Sequence, residues 1–387
     1  MVQKSSPVSL VDDSGKSYDV TIPRWCGDDG APVILSPLPG IGKEDIDTEQ
    51  RSLWRYRKSF ALDYPRPVSL GEGFTPLLKR DFLGRDFHFK LEWFNPTGSF
   101  KDRGTSLVAS TLALQGIEKA LTDSSGNGGS SLSAYCTAAG VPLKVIVPAS
   151  TSQSKVTQAA AYGAELELIP GGRDAAQDAA LEQSKHTFYA GHNWHPFFLD
   201  GIKTIGYELW EDLSFEAPDN VVFVAGAGSL ALGCDAAFSE LLNAGQIKSR
   251  PRLLVAQSES CCPIFDTFHA KQQDKGKRVA PHAKGLAEGA AIPAPVRLNK
   301  VVDAVRRSKG TVVTVTESQI EKATRDLAAL GFYCEPTSAV AAAALGELIE
   351  AGWIEHGSRT VVILTGSGLK TGAVMDQIFA KQESPRA

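Results

Sequence analysis

From about residue 87 onward, short runs of β-branched and leucine residues alternate with segments whose apolar positions recur at helical spacing. The runs predict strands over 141–147, 165–169, 220–225, 253–257 and 360–364. The intervening periodicity predicts helices over 130–139, 156–162, 175–184, 202–213, 230–242, 317–330 and 339–351. Near-continuous apolar strands suit sheets covered on both faces, and strand–helix alternation at this spacing implies right-handed crossovers between parallel strands. The expected fold class is therefore α/β, with two open parallel-sheet lobes flanked by helices. The first 70 residues read differently. Residues 8–22 suggest a hairpin around Asp13, Ser14 and Gly15, followed by a Pro-, Gly- and Asp-rich stretch through Gly42. They predict an N-terminal arm or cover, and the polar segment 271–284 predicts a surface loop or mobile flap.

At 387 residues, the chain is long enough for two or three domains at roughly 150 residues each. A hydrophobic fraction of 43% with 22% charged residues of both signs fits a soluble, globular protein. The net charge of -4, from 44 acidic and 40 basic residues without a basic block, leaves no electrostatic footprint for nucleic acid or a membrane surface. Small molecules are the expected partners. Cys26, Cys136, Cys234, Cys261, Cys262 and Cys334 form no C-x-x-C pair and read as reduced thiols. The N-terminal residues lack the apolar core of a signal peptide, and no run of about 18 apolar residues occurs. A cytoplasmic location is the expectation.

Candidate chemistry concentrates in glycine-rich turns, since ligands of open α/β sheets bind beyond the strands' carboxyl ends, where helix N–H groups point outward. The run TDSSGNGGSS at 122–131 would converge hydroxyls, an amide and backbone N–H groups on an anion; the bland alternative is a flexible turn with a capping serine. The run VAGAGSL at 224–230 closes a strand and opens a helix, which suits a phosphate. Gly226, Gly228 and Ala231 also match G-x-G-x-x-A, but a dinucleotide fold needs an acidic residue about 20 positions on, and Glu259 sits too late. In FNPTGSFKDRG at 94–104, Ser99 reads as a helix cap, with Lys101 in the first turn beside Phe100. An amine between an aromatic residue and an apolar helix, at the dipole's positive end, should have a lowered pKa, as covalent catalysis by lysine requires. The alternative is an exposed lysine ion-paired within KDR.

NPTGSFKDRG, SSGNGG about 20 residues later, AGAGS, CEPTSA at 334–339 and LTGSGLK at 364–370 occur in that order. Together with GEGFTPL from Gly71, they resemble the threonine synthase branch of the fold-type-II pyridoxal-phosphate enzymes. The likeness runs from about Gly71 to Lys370. It implies pyridoxal 5'-phosphate as cofactor, held in a cleft between the lobes, and a homodimer. The lobes would be a large cofactor-binding domain over 71–122 and 200–387 and a small substrate-side domain over 123–199, with 1–70 outside both.

By the same resemblance, Lys101 carries the cofactor covalently and later moves the α-proton, and Phe100 packs near the ring. Asn127 matches the amide that bonds the cofactor's phenolic oxygen. Ser124, Ser125, Gly126 and Gly128 belong to the loop that grips the substrate carboxylate. Gly226, Ala227, Gly228 and Ser229 would cradle the phosphate, and Thr365 would face the pyridine nitrogen. Glu335 falls near the site without an assigned role. A hydroxyl rather than a carboxylate at that nitrogen makes a weaker electron sink, which suits elimination over racemisation.

The chain departs from the family where threonine synthase must bind a phosphorylated substrate. Gly128 stands where a threonine usually follows the asparagine. Phe197 and Phe198 stand in the stretch where the family carries an arginine. The glycine turn lacks the family's asparagines, and TGHGLKD reads TGSGLKT. Each change removes a polar contact to a dianion. The expected activity is therefore β-elimination, of ammonia-lyase or dehydratase type, on a small hydroxy or β-substituted amino acid. Threonine synthase itself is the alternative, with Lys203 and Lys155 able to rebuild a phosphate site. A catalytically silent cofactor-binding protein is the other, though Lys101, Asn127 and Thr365 are all retained. His192 and His195 have no third ligand in sequence reach, so packing or surface roles are expected and no metal.

Overall fold

Asn220–Val224 and Thr360–Leu364 are buried at every position, so both strands need cover on both faces and both lie inside one sheet. The computed structural model describes residues 8–151, 153–270 and 285–380, which leaves the expected loop at 271–284 outside the described residues. Contacts divide the chain into two units. The first comprises Met1–Phe74, Asn95–Glu208 and Ala236–Lys248; the second comprises Thr75–Phe94, Leu209–Asp235 and Ser249–Ala387.

The second unit holds a six-stranded sheet in the order Thr311–Val315, Arg252–Ser258, Asn220–Val224, Thr360–Leu364, Arg85–Leu91, Leu77–Phe82. All neighbours run parallel except the last pair. Phe89, Leu254, Leu364, Ile320, Leu327 and Leu345 share its core with the alanine-rich helix Pro336–Ala343. The strands Arg252–Ser258, Asn220–Val224 and Thr360–Leu364 follow the predicted runs, whereas the parallel edge strand Thr311–Val315 was not among them. The antiparallel hairpin was not among the predicted elements, because its two-residue turn is Leu83-Gly84. Both residues have positive φ, 56° and 71°, a conformation usually signalled by Asn-Gly or Asp-Gly rather than by leucine. The helix expected over 339–351 is two helices, Pro336–Ala343 and Leu345–Glu350, the first begun by a proline at a position where its missing N–H costs nothing.

The first unit holds a four-stranded parallel sheet, ordered Glu165–Ile169, Leu143–Pro148, Ala120–Thr122, Phe188–Tyr189. It also holds a small antiparallel sheet of Ser17–Asp19, Ser9–Val11 and Ile34–Leu35. The hairpin expected near Asp13 is present. The Asp12 carboxylate closes its turn by accepting from the Ser14 and Lys16 N–H groups at 2.9 and 3.0 Å.

These limits run differently from the 71–122, 123–199 and 200–387 divisions expected from sequence. The first 74 residues are grouped with the first unit, where Leu10, Val20, Leu38 and Leu62 share a core with Phe197. A second tie is the fully buried Glu72. Its carboxylate accepts from Trp54 Nε1 (2.9 Å), Ser106 Oγ (2.6 Å) and Tyr135 OH (2.9 Å), joining the arm to helices Lys101–Leu114 and Asn127–Ala139. Burial pushes the Tyr135 phenol far up, so it stays a donor. All six cysteines are free, and burial pushes the Cys136 thiol up to about 12. Among the described residues no helix is long and apolar enough to cross a membrane.

Candidate active site

In the first unit, Lys101 opens helix Lys101–Leu114, but Ser99 does not cap it. Phe100, at the cap position, already has helical angles (φ -57°, ψ -17°) and offers no side-chain bond, so the turn must be closed from within. Asp102 closes it. Its carboxylate accepts from the Thr97 N–H at 2.7 Å and from the Thr97 and Ser131 hydroxyls at 2.5 Å each. The helix that begins at Lys101 is thereby tied to the preceding turn and to helix Asn127–Ala139. Ser99 Oγ is buried and has no hydrogen-bond partner among the described residues.

The exposed, ion-paired KDR alternative does not match these positions, since Asp102 and Arg103 are fully buried. Arg103 makes a two-pronged bond to Glu208 at 2.8 and 2.9 Å. Lys101 Nζ lies 4.6 Å from the centre of the Phe100 ring and 5.5 Å from that of Phe198. Two aromatic rings thus flank the Lys101 amine.

The serine–glycine run in the same unit joins strand Ala120–Thr122 to helix Asn127–Ala139, with Gly126 at the cap. Ser124, Ser125, Gly126, Asn127 and Gly128 therefore surround one helix N-terminus, where unsatisfied N–H groups favour a carboxylate. Ser124 folds back over that end. Its Oγ accepts from the Gly129 N–H at 3.1 Å, and its carbonyl oxygen would lie 1.8 Å from any β-carbon at 129, so only glycine fits there. At the base of the run, Tyr189 OH donates to Asp123 at 2.8 Å, and Tyr189 itself packs edge-on against Trp25 of the N-terminal arm.

Lys203 cannot rebuild a phosphate site. It is buried, with Nζ 2.8 Å from Asp200, 3.1 Å from Glu240 and bonded to the Ser59 carbonyl. Its charge is committed to two buried carboxylates. The Lys155 side chain lies outside the described residues. His195 packs against the rings of Phe188 and Phe197, and His192 lies 5.4 Å from the ring of Phe198. Among the described residues no cluster of three or more His, Cys, Asp or Glu side chains is placed to hold a metal ion.

In the second unit, strand Asn220–Val224 runs through Gly226, Ala227 and Gly228 into helix Ser229–Asn243. Gly228 has φ +82°, and a β-carbon there would lie 2.3 Å from Val301, so position 228 needs glycine on both counts. The turn presents a helix N-terminus made of small residues and the Ser229 hydroxyl, which fits a phosphate. Strand Thr360–Leu364 ends in Thr365, whose buried hydroxyl lies 2.9 Å from Ser338 Oγ. Ser338 Oγ also accepts from the Gly366 N–H at 2.8 Å, while the Glu335 N–H donates to the Gly366 carbonyl at 3.0 Å. CEPTSA and LTGSG are therefore zipped together. In the sequence Ser338 is one residue of CEPTSA, and its one signal is a hydroxyl two residues beyond Pro336 at the start of a helix.

A family model described as pyridoxal-phosphate dependent enzyme matches residues 68–366. The threonine synthase of Methanosarcina acetivorans is 35% identical over 341 residues, covering 85% of this chain and 83% of its own. That of Methanocaldococcus jannaschii is 32% identical over 372 residues, covering 92% and 91%. Among solved structures, maize serine racemase superposes with a TM-score of 0.66 at 22% identity, over 80% of this chain and 92% of that one. A T.th. threonine deaminase superposes with a TM-score of 0.63 at 24% identity, over 76% and 92%. These two share the fold.

Removing the Asp102 carboxylate should take an acceptor from the buried Thr97 N–H and from the Thr97 and Ser131 hydroxyls, of which Ser131 Oγ keeps Thr105 Oγ1 as a partner. Asp102→Ala is expected to lose about 3 kcal/mol of stability and Ser131→Ala about 1 kcal/mol, with the double variant less destabilised than the sum. Urea unfolding of the three variants checks this; additive losses would mean that Asp102 and Ser131 do not act together.

Proposed function

The chain belongs to the pyridoxal-phosphate dependent enzyme family, and from that membership we propose that it catalyses β-elimination on a small, unphosphorylated hydroxy or β-substituted amino acid. The observation that carries this reading is the aromatic wall beside Lys101, where Phe198, from the stretch in which the family carries an arginine, lies 5.5 Å from the amine. A phosphate dianion against that wall would lose water without gaining donors. Lys203, the one nearby cation in sequence, is held by Asp200 and Glu240.

The residues fit pyridoxal 5'-phosphate: a lysine at a helix start two residues after a buried Ser99 hydroxyl without a partner among the described residues, a cradle of small residues at 226–229, and a neutral hydroxyl pair at Thr365 and Ser338. The bound cofactor's contribution is an electron sink that acidifies the substrate's Cα–H. Lys101 Nζ would hold it covalently and serve as the base for the α-proton, with Phe100 beside it. Asn127 would orient it through its side-chain amide. Gly226, Ala227, Gly228 and Ser229 would bind its phosphate, and Thr365 would offer the ring nitrogen a neutral hydroxyl. Ser124, Ser125, Gly126 and Gly128 hold the substrate carboxylate at the N-terminus of helix Asn127–Ala139. Glu335, held at the zipped motifs, has no assigned step. We also place the enzyme in the cytoplasm, on its six free thiols, and as a homodimer, on its family resemblance.

A second reading is threonine synthase, favoured by relatives of that name at 35% and 32% identity over most of both chains. Steady-state kinetics separate the two. L-serine or L-threonine is expected to be turned over with a kcat/KM about 100-fold above that for O-phosphohomoserine, the equivalent of losing one or two charged hydrogen bonds. Efficient threonine formation from O-phosphohomoserine would overturn the ranking.

Thr365→Asp is expected to slow elimination at least about tenfold, because an adjacent carboxylate favours a protonated ring nitrogen. Thr365→Ser should stay near wild type, as it keeps the hydroxyl beside Ser338. Holoenzyme absorbance spectra and elimination rates check both variants; an Asp variant with wild-type spectrum and rate would place Thr365 away from the nitrogen.

A further inference from the structure

Two departures from the family pattern meet at one side chain. A β-carbon built at Gly128 would lie 2.6 Å from His192 Cε1 and 2.7 Å from its Nδ1. The imidazole therefore occupies the volume that a residue larger than glycine would need. The same imidazole lies 5.4 Å from the Phe198 ring, at an interplanar angle of 61°. Phe198 in turn is seated on the helix of Lys101, since a β-carbon at Gly104 would lie 2.3 Å from that ring. His192 is partly exposed, and it is the polar side chain that reaches from the serine–glycine loop to the aromatic wall beside Lys101.

We infer that His192 is a specificity-determining residue, supplying through its ring nitrogen the hydrogen bond that recognises the substrate's β-oxygen, while Phe198 shuts a phosphate out of the same wall. Gly128 is then not a lost contact but the space that admits the imidazole. The hydroxyl that a threonine at 128 would carry is replaced by a longer donor arriving from position 192. This inference rests on the elimination reading above.

The test uses holoenzyme and two amino acids that lack an α-proton and cannot be consumed, α-methyl-L-serine and 2-aminoisobutyrate, which differ only in the β-oxygen. Spectral titration should give wild type about tenfold tighter binding of α-methylserine, as one neutral hydrogen bond provides. His192→Ala should bring the ratio to about one with the aminoisobutyrate Kd unchanged, and His192→Gln, which keeps a donor, should restore most of it. An unchanged ratio in His192→Ala overturns the inference. The elimination reading fails separately, if serine and threonine are not consumed while the binding ratio holds.

A second arm needs no ligand. Gly128→Thr should lower the melting temperature by about 5 °C, and part of that loss should vanish in the His192→Ala background, the remainder coming from Ser124 Oγ, 2.9 Å from the added β-carbon. A Gly128→Thr protein as stable as wild type would show that the two residues do not share this space.

Discussion

The carboxylate of Asp102 fixes where the Lys101 amine can be. It sits one residue after Lys101, buried, and accepts from the Thr97 N–H and from the hydroxyls of Thr97 and Ser131. Hydrogen bonds to a carboxylate are about twice as strong as neutral ones, and a buried one with missing donors would be costly. The start of the lysine helix therefore cannot move without breaking contacts to the preceding turn and to helix Asn127–Ala139. Arg103 adds a second anchor through Glu208. With both charged neighbours turned into the interior, Lys101 faces the rings of Phe100 and Phe198.

The second unit applies a different device to the same end. Its chemistry-bearing turns are held by backbone rather than by ions. Gly228 takes a left-handed conformation against Val301, and the segments around Glu335 and Thr365 bond to each other through Ser338 and Gly366. Such an arrangement gathers hydroxyls and N–H groups, rather than carboxylates, around Thr365.

Much of this was legible in the sequence because it depends on local pattern. Strands 165–169 and 360–364 appear at the expected limits, and the glycine turns sit between a strand and a helix as their composition implied. What was not legible depends on partners distant in sequence. Ser99 looked like a cap, yet Asp102 does that work with Ser131, 29 residues away. Lys203 looked like a spare cation until burial with Asp200 and Glu240 claimed it. Gly128 and Phe198 read as two unrelated losses, and only the position of His192 joins them. The Leu83-Gly84 hairpin went unseen because leucine is a poor signal for positive φ.

Whether Lys101 is the amine that carries the cofactor is decided by borohydride reduction of the protein purified with pyridoxal phosphate, followed by peptide mapping with mass spectrometry. One pyridoxyl group per chain is expected, on Lys101. A label on another lysine, or no label on a protein that retains the cofactor, would take that role from Lys101.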